Sequence, residues 1–496
     1  MTINFPDYAD LGLGHLSEST RYTWDYMLGR AENFSYYYNG DVFEEKVPVE
    51  QGIEDDAPLM YPVGLNLVKM LCIAQADSMF GEYEDQPIQF GARKDADVSD
   101  DDKKAIDLAH RILERSYASK TLWECELERN IFGGTALQIV PALDRRLYPY
   151  VKWYRVPYGS FFPIWHPEDP DVLLEVYTVN TMTAEQARIL YGYEAKTELV
   201  KRVERWSQTE HETWVDRVKI SKYSGFNPYK VVPFVYIPRM RLQSWWGDGL
   251  AEEVIPIQNE LNRVVADVSD AANYNAHPTR WGVNLPRDFN AQNYPLGPNS
   301  FWNLGRSITG NPDPSVGILE AKAAVSPEVF QYVKFIYDWG RIAANAPPIA
   351  FGEDEGGSQR SGVTLEIRMW PLIKALRRSR AYMDTGIKQA IYISACILAQ
   401  KKFPDVPVRA VEKLLKGDIV PHFYNIMPRD QAAIVDEVVK LLSTDPPSIS
   451  EETAQVILGR GTGEVGRIES MVSNRSLWKA DQVKTEEPAV VKSPAN

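Results

Sequence analysis

The chain has 496 residues, enough for several domains or for one large domain with insertions. Hydrophobic residues make up 44% and charged residues 25%, the balance of an ordinary globular protein. A formal net charge of −14 argues against tight gripping of nucleic-acid phosphates, which calls for a basic excess, but not against a passage through which DNA slides without sticking.

Residues 1–35 predict a helix and Tyr36 to Asp41 a turn. A second helix is expected over 64–80, with Leu65, Val68, Leu71 and Cys72 on one face. Residues 95–104 are acidic. Asp100 to Asp102 should cap a helix over about 103–117, because carboxylates suit the positive end of the helix dipole. From Thr135 to Tyr236 the pattern turns β-rich, with strands expected at 136–140, 150–154, 173–179, 213–220 and 231–237. This predicts a mixed α/β body rather than a βαβ repeat.

Residues 249–276 then predict one long helix. Leu250, Val254, Ile257, Leu261, Val264, Val268 and Ala272 recur at spacings of three and four and form an apolar seam. At 1.5 Å per residue the helix is about 40 Å long. Pro256 falls in its first turns, where it costs least if the helix starts slightly later. His277-Pro278 ends it, and 278–325 reads as irregular and short-stranded. Ser326-Pro327-Glu328 starts another helix, expected to run to about 345 with Val329, Phe330, Val333, Ile336 and Ile342 on its apolar face. Residues 346–362 hold two prolines, four glycines and three adjacent acids, which predicts a loop. A third long helix, about 60 Å if straight, is expected over 363–402 with a bend at Pro371. Small helices are expected at 429–443 and 450–458, and a disordered polar tail after Trp478.

Catalytic motifs are missing. There is no GxxxxGK[ST], and the glycine-rich stretch 352–362 is acidic and lacks a phosphate-facing lysine. There is no GxSxG. His15, His110, His166, His211, His277 and His422 form no zinc spacing. Cys72, Cys125 and Cys396 lie far apart and read as reduced, buried thiols. Glu252-Glu253 and Asp267/Asp270 read as a solvated helix face or a subunit contact. Asp354-Glu355 could hold a divalent ion, but an exposed acidic loop is the commoner use of such a pair. Lys374, Arg377, Arg378, Arg380 and Lys388 concentrate basic charge on the third long helix, either for nucleic acid or an acidic neighbour or as a plain solvated face. No catalytic residue, metal or cofactor is expected. The first residues lack the order of a secretory leader, and no apolar run approaches the roughly 18 residues of a membrane span. The expectation is a soluble protein, intracellular when made.

Several stretches carry a resemblance. Val232-Pro-Phe-Val-Tyr-Ile-Pro238, Trp246-Gly-Asp-Gly-Leu250 and Glu253-Val-Ile-Pro-Ile-Gln-Asn-Glu-Leu-Asn262 stand in the order strand, turn, helix. Ser269 to Pro278 resembles that helix's end, and Ser358-Gln-Arg-Ser-Gly-Val-Thr-Leu365 a loop running into a long helix. Tyr37 to Asp41, Asn66-Leu67-Val68, Phe132-Gly-Gly-Thr-Ala136 and Asn425 to Asp430 agree as well. Together they resemble the portal proteins of tailed bacteriophages, over roughly residues 30–470.

The resemblance implies an α+β portal fold. Residues 1–247 would form the α/β wing, 248–277 and 326–345 the two stem helices, and 278–325 the clip. Residues 346–362 would form a tunnel loop, 363–427 the long kinked wing helix and a wing strand, 428–477 a helical crown, and 478–496 a tail. It implies a homo-oligomeric ring, typically of twelve, at the portal vertex of the capsid, assembled in the host cytoplasm and passing double-stranded DNA for packaging and ejection. Its partners would be terminase, capsid and scaffolding proteins, and head-completion or tail adaptor proteins, with no membrane. Glu353, Asp354, Glu355, Ser358, Gln359, Arg360 and Ser361 would face the DNA. Arg280 and Arg287 are candidate DNA or partner contacts of clip or stem. Glu252, Glu260, Arg263, Asp267, Arg377, Arg378 and Arg380 are candidate intersubunit contacts. The competing readings are a polysaccharide-acting enzyme of a phage particle, using paired acids and aromatics, and another helical head–tail adaptor. The long uninterrupted helices count against the first, and the length and mixed strands against the second.

Overall fold

A computed structural model describes residues 13, 16–43, 64–81, 86–93, 98–142, 149–242, 244–276, 280–284, 313, 315–318, 327–353, 362–401, 403, 405–426, 439, 440 and 443. The chain divides into two units, Met1–Ile426 and Met427–Asn496. In the second, the expected helices at 429–443 and 450–458 lie almost wholly outside the described residues, and the expected tail entirely so.

In the first unit, α1 (Glu18–Asn39) begins where the Ser17 side chain accepts from the Thr20 amide and ends where Gly40 adopts φ 89°. Residues 36–39, predicted as a turn, stay helical because Gly40 is the first residue free to leave the helix left-handed. Helix α2 (Leu67–Met79) is capped by Asn66, and β1 (Ile88–Ala92) follows. Helix α3 (Asp100–Arg115) starts before the expected residue 103. Ser99 and Asp102 form a reciprocal capping box, so the three aspartates are its first turn. Helix α4 (Ala118–Phe132) follows after only two residues, with Tyr117 turned to φ 50°.

Strands β2 (Gly134–Pro141), β3 (Val151–Val156), β4 (Phe161–Trp165) and β5 (Leu173–Thr183) lead to α5 (Ala184–Tyr191). Then come β6 (Leu199–Ser207), β7 (Glu210–Val215), β8 (Val218–Lys219), β9 (Gly225–Phe226) and β10 (Phe234–Pro238). The single strand expected over 213–220 is a hairpin. Asp216 and Arg217 take φ 46° and 67°, the conformation that reverses a tight β-turn. The rest is α6 (Leu250–Ala276), the pair β11 (Arg280–Val283) and β12 (Ser315–Ile318), α7 (Pro327–Ala343), α8 (Gly362–Lys401), α9 (Val408–Lys416) and β13 (Ile419–Phe423).

The antiparallel sheets run β10-β2-β3 and β4-β5-β6-β7-β8, with β9 also on β7; β1 pairs with β13 and β11 with β12. Helix α8 is the axis of the larger core. Its Leu372, Leu376, Met383, Ile387 and Ile391 pack with Leu108 and Ile112 of α3, Leu137 of β2 and Trp153 of β3. The Trp153 indole N–H donates to Ser394 on the same helix at 2.9 Å. A second core joins α2, α6 and α7. Burial pushes the Cys72 and Cys125 thiols up to about 12, whereas Cys396 is only partly buried. Among the described residues no helix is long and apolar enough to cross a membrane.

The β1–β13 pair is held to α3 by His110. Its Nε2 accepts the Phe90 amide at 3.2 Å, so Nδ1 carries the proton and donates to Gln86 Oε1 at 2.9 Å. Burial lowers the His110 pKa and outweighs the opposing Asp107 carboxylate. A folded value below the unfolded one means that acid favours the unfolded chain. The stability from His110 is complete above about pH 6.5, the free imidazole value, and falls as pH drops below it. Melting scans between pH 7.5 and 5.5 should show a steeper loss for the native chain than for His110→Gln. Equal slopes would remove His110 from the account.

Candidate functional site

Helices α6 and α7 are laid side by side on the second core. Leu250, Val254, Leu261 and Val264 of α6 and Ile336 of α7 face inward with Leu67, Val68 and Leu71 of α2. Gln258, almost fully buried, ties α6 to the start of α2: its Oε1 accepts the Leu67 amide at 2.7 Å and its Nε2 donates to the Leu65 carbonyl at 2.9 Å. Pro256 lies inside α6 rather than before its start, so the Glu252 carbonyl forgoes its helix donor. The chain enters α6 through a tight crossing. Gly133 and Gly247 take φ 92° and 83°, and a Cβ on Gly133 would stand 2.4 Å from the Gly247 carbonyl oxygen, so only glycine fits there.

The polar face of α6 is paired within the chain. Arg30 holds Glu252 at 2.7 Å, Arg263 bridges Glu260 at 2.7 Å and Asp267 at 3.1 Å, and the Tyr332 hydroxyl of α7 donates to Glu260 at 3.1 Å. The outer side of α7 carries an apolar stripe beside the exposed Gln331 and Lys334. Phe335, Trp339 and Ile342, at spacings of four and three, are 52%, 56% and 71% exposed and form one stripe, and Phe330 is exposed on the other flank of the helix. Phe330 and Ile342 were expected on the inward face. Val329, Val333 and Ile336 do face inward, joined by Gly340, onto which Leu67 packs directly.

Helix α7 turns back on itself at its end. The Ala346 amide donates to the Arg341 carbonyl at 2.8 Å, and Pro348–Phe351 form one 3-10 turn that Gly352 ends at φ 75°. Gln75 of α2 donates to the Ala344 carbonyl at 2.5 Å. The Arg341 guanidinium, 4% exposed as a residue, pairs with Asp338 one turn back and with Glu353 at 2.6 Å. Glu353 is thus the one loop acid that the structure describes. Asp354, Glu355, Ser358, Gln359, Arg360 and Ser361 lie outside the described residues, as do Arg287 and the Arg280 side chain.

On α8, Lys374 and Arg377 both lie over the Trp370 ring, at 5.4 and 5.5 Å from its centroid, and Arg378 is exposed. Arg380 turns inward. It donates to the Met79 carbonyl at 2.5 and 2.8 Å and to the Tyr424 carbonyl at 2.7 Å, and burial lowers its pKa to about 10. Near it lies a buried charge cluster that the sequence reading did not find. Arg129 of α4, fully buried, pairs with Glu126 and donates to the carbonyls of Pro238 and Ser379, both at 2.9 Å. It therefore joins α4, the strand leading toward α6, and α8 at one point. Glu128 accepts from Thr135 at 2.5 Å, Arg155 at 2.8 Å and the Tyr158 amide at 3.0 Å. Burial raises both carboxyls, against the pull of Arg129 on Glu126 and of Arg155 on Glu128. The one sequence signal was the charged run in Glu124-Cys-Glu-Leu-Glu-Arg-Asn130 within an otherwise helical stretch.

Among the described residues no group of three or more His, Cys, Asp or Glu is placed to hold a metal ion. The site's described features are an exposed apolar stripe on α7, the Arg341–Glu353 pair and the buried Arg129 joint. Comparison with known families gives a match to the one described as "Phage portal protein, SPP1 Gp6-like" over residues 19–458. No curated protein matches the chain.

Proposed function

Since this chain belongs to the phage portal protein family, we propose how its parts divide the family's work. That work is to form the channel for DNA packaging, and the chain is a structural protein of the phage particle. The family implies an oligomeric ring at the portal vertex of the capsid, with capsid and DNA as its partners. Neither the enzyme nor the adaptor alternative is favoured.

In our reading α6 and α7 are the stem, residues 278–325 the clip, 1–247 with 363–427 the wing, 428–477 the crown, and 346–362 the channel-facing loop. The exposed stripe on α7 supports this reading best. A closed ring needs two different faces on every copy, and an apolar face on a helix otherwise packed within its own chain supplies one. Twelve copies close the ring. The chain has no nucleotide motif, so an ATP-driven terminase supplies the work and docks at the clip, with head-completion or tail adaptor proteins following it there. Capsid and scaffolding proteins meet the wing, and assembly takes place in the host cytoplasm. The chain itself catalyses nothing.

Asp354 and Glu355 keep the DNA from sticking, and Gln359, Arg360 and Ser361 come nearest to it. Lysines at positions 354 and 355 should slow DNA passage and make it salt-sensitive. Each new phosphate contact steepens the dependence on salt by about 0.9 in log–log slope. Packaging that is unchanged at both low and high salt would reject this role for the loop.

A further inference from the structure

We propose that Arg341 and Glu353 form a latch that fixes the root of the channel loop to stem helix α7, so that Glu353 positions the loop instead of repelling DNA. The inference rests on the reading of 346–362 as the channel loop.

Three observations carry it. The guanidinium is nearly buried and held on its own helix by Asp338, and it stacks over the Tyr337 ring 4.7 Å from the centroid. Arg341 is therefore a fixed post, because its fork has little freedom left. Its remaining reach ends on Glu353 at 2.6 Å, a charge-assisted bond spanning the whole turn from helix to loop. The backbone repeats the same connection: the Ala346 amide donates to the Arg341 carbonyl, and the Glu353 amide closes onto the Pro348 carbonyl at 3.2 Å. Side chain and main chain of one residue thus hold both ends of residues 346–353. Glu353 shares the Arg341 guanidinium with Asp338, so its carboxylate is drawn onto the helix. A loop that must stay clear of moving DNA needs such a fixed base, since an anchor that opens lets the loop swing.

The test uses full-length assembled rings carrying Glu353→Gln, Arg341→Gln, Arg341→Lys or the double Gln variant. The readout is the rate of tryptic cleavage after Arg360. Loss of one charge-assisted bond should raise cleavage through the opened state about ten- to a hundredfold. The double variant should be no worse than either single one, and Arg341→Lys should fall between native and Gln. Cleavage rates unchanged in Glu353→Gln, or single effects that multiply in the double variant, overturn the latch. Glu353 is half exposed, so its variant keeps the test valid if Arg341→Gln fails to fold. Retention of packaged DNA separates the two claims. Faster cleavage with impaired retention supports both. Faster cleavage with normal retention keeps the latch and overturns the loop's place in the channel.

Discussion

Arg129→Met is expected to destabilise the subunit by about 3–5 kcal/mol, the usual cost of removing one partner from a buried ion pair. Arg129 has no measurable exposure and Glu126 is equally buried. Without the guanidinium, Glu126 keeps the Ser379 hydroxyl at 3.3 Å and the pull of Arg239, both set against burial, which favours its neutral form. The Pro238 and Ser379 carbonyls lose their shared donor at the same time. Removing both charges should cost much less, because no unpaired buried charge remains: Arg129→Met with Glu126→Leu should recover at least about half of the loss. Urea unfolding of the three proteins measures this. A single variant within about 1 kcal/mol of native stability would mean that the cluster is not the joint between α4, β10 and α8.

The second large effect is on assembly. Phe335→Ser, Trp339→Ser and Ile342→Ser together should leave a folded subunit that no longer forms rings. Each side chain is at least half exposed in the single subunit, so covering the rest in a seam is worth about 1–2 kcal/mol apiece. The loss is about 3–6 kcal/mol per seam, or on the order of a hundred- to ten-thousandfold in association. Intact melting behaviour with a collapse in particle size is the expected signature. Rings of unchanged size would place the seam elsewhere on the subunit.

How far the sequence could be read depended on what each element buries. Helices α6 and α8 were legible because their apolar residues recur at helical spacing over many turns, and α7 because Ser326-Pro327-Glu328 announces its start. Helix α4 read only as a helix-like stretch around Cys125, without bounds. Its buried residues mix Leu122, Cys125 and Ile131 with Glu126, Glu128, Arg129 and Asn130, which blurs the hydrophobic periodicity. The five-residue β4 and the two-turn α5 went unread because their patterns are brief, and β6 because its Lys201, Arg202, Glu204 and Arg205 interrupt the apolar alternation. On α7 the sequence could not separate the inward face from the outward one, since both carry large apolar residues. The acids of the loop were visible as a run. That the first of them has a partner in Arg341 was not, because the pair forms across a turn that only the folded chain closes.

Imaging the purified full-length protein by electron microscopy tests the central claim most directly. Closed rings with a hole at the centre are the predicted result, and the α7 triple variant should appear as single subunits under the same conditions. Poreless particles from the native chain would contradict the account.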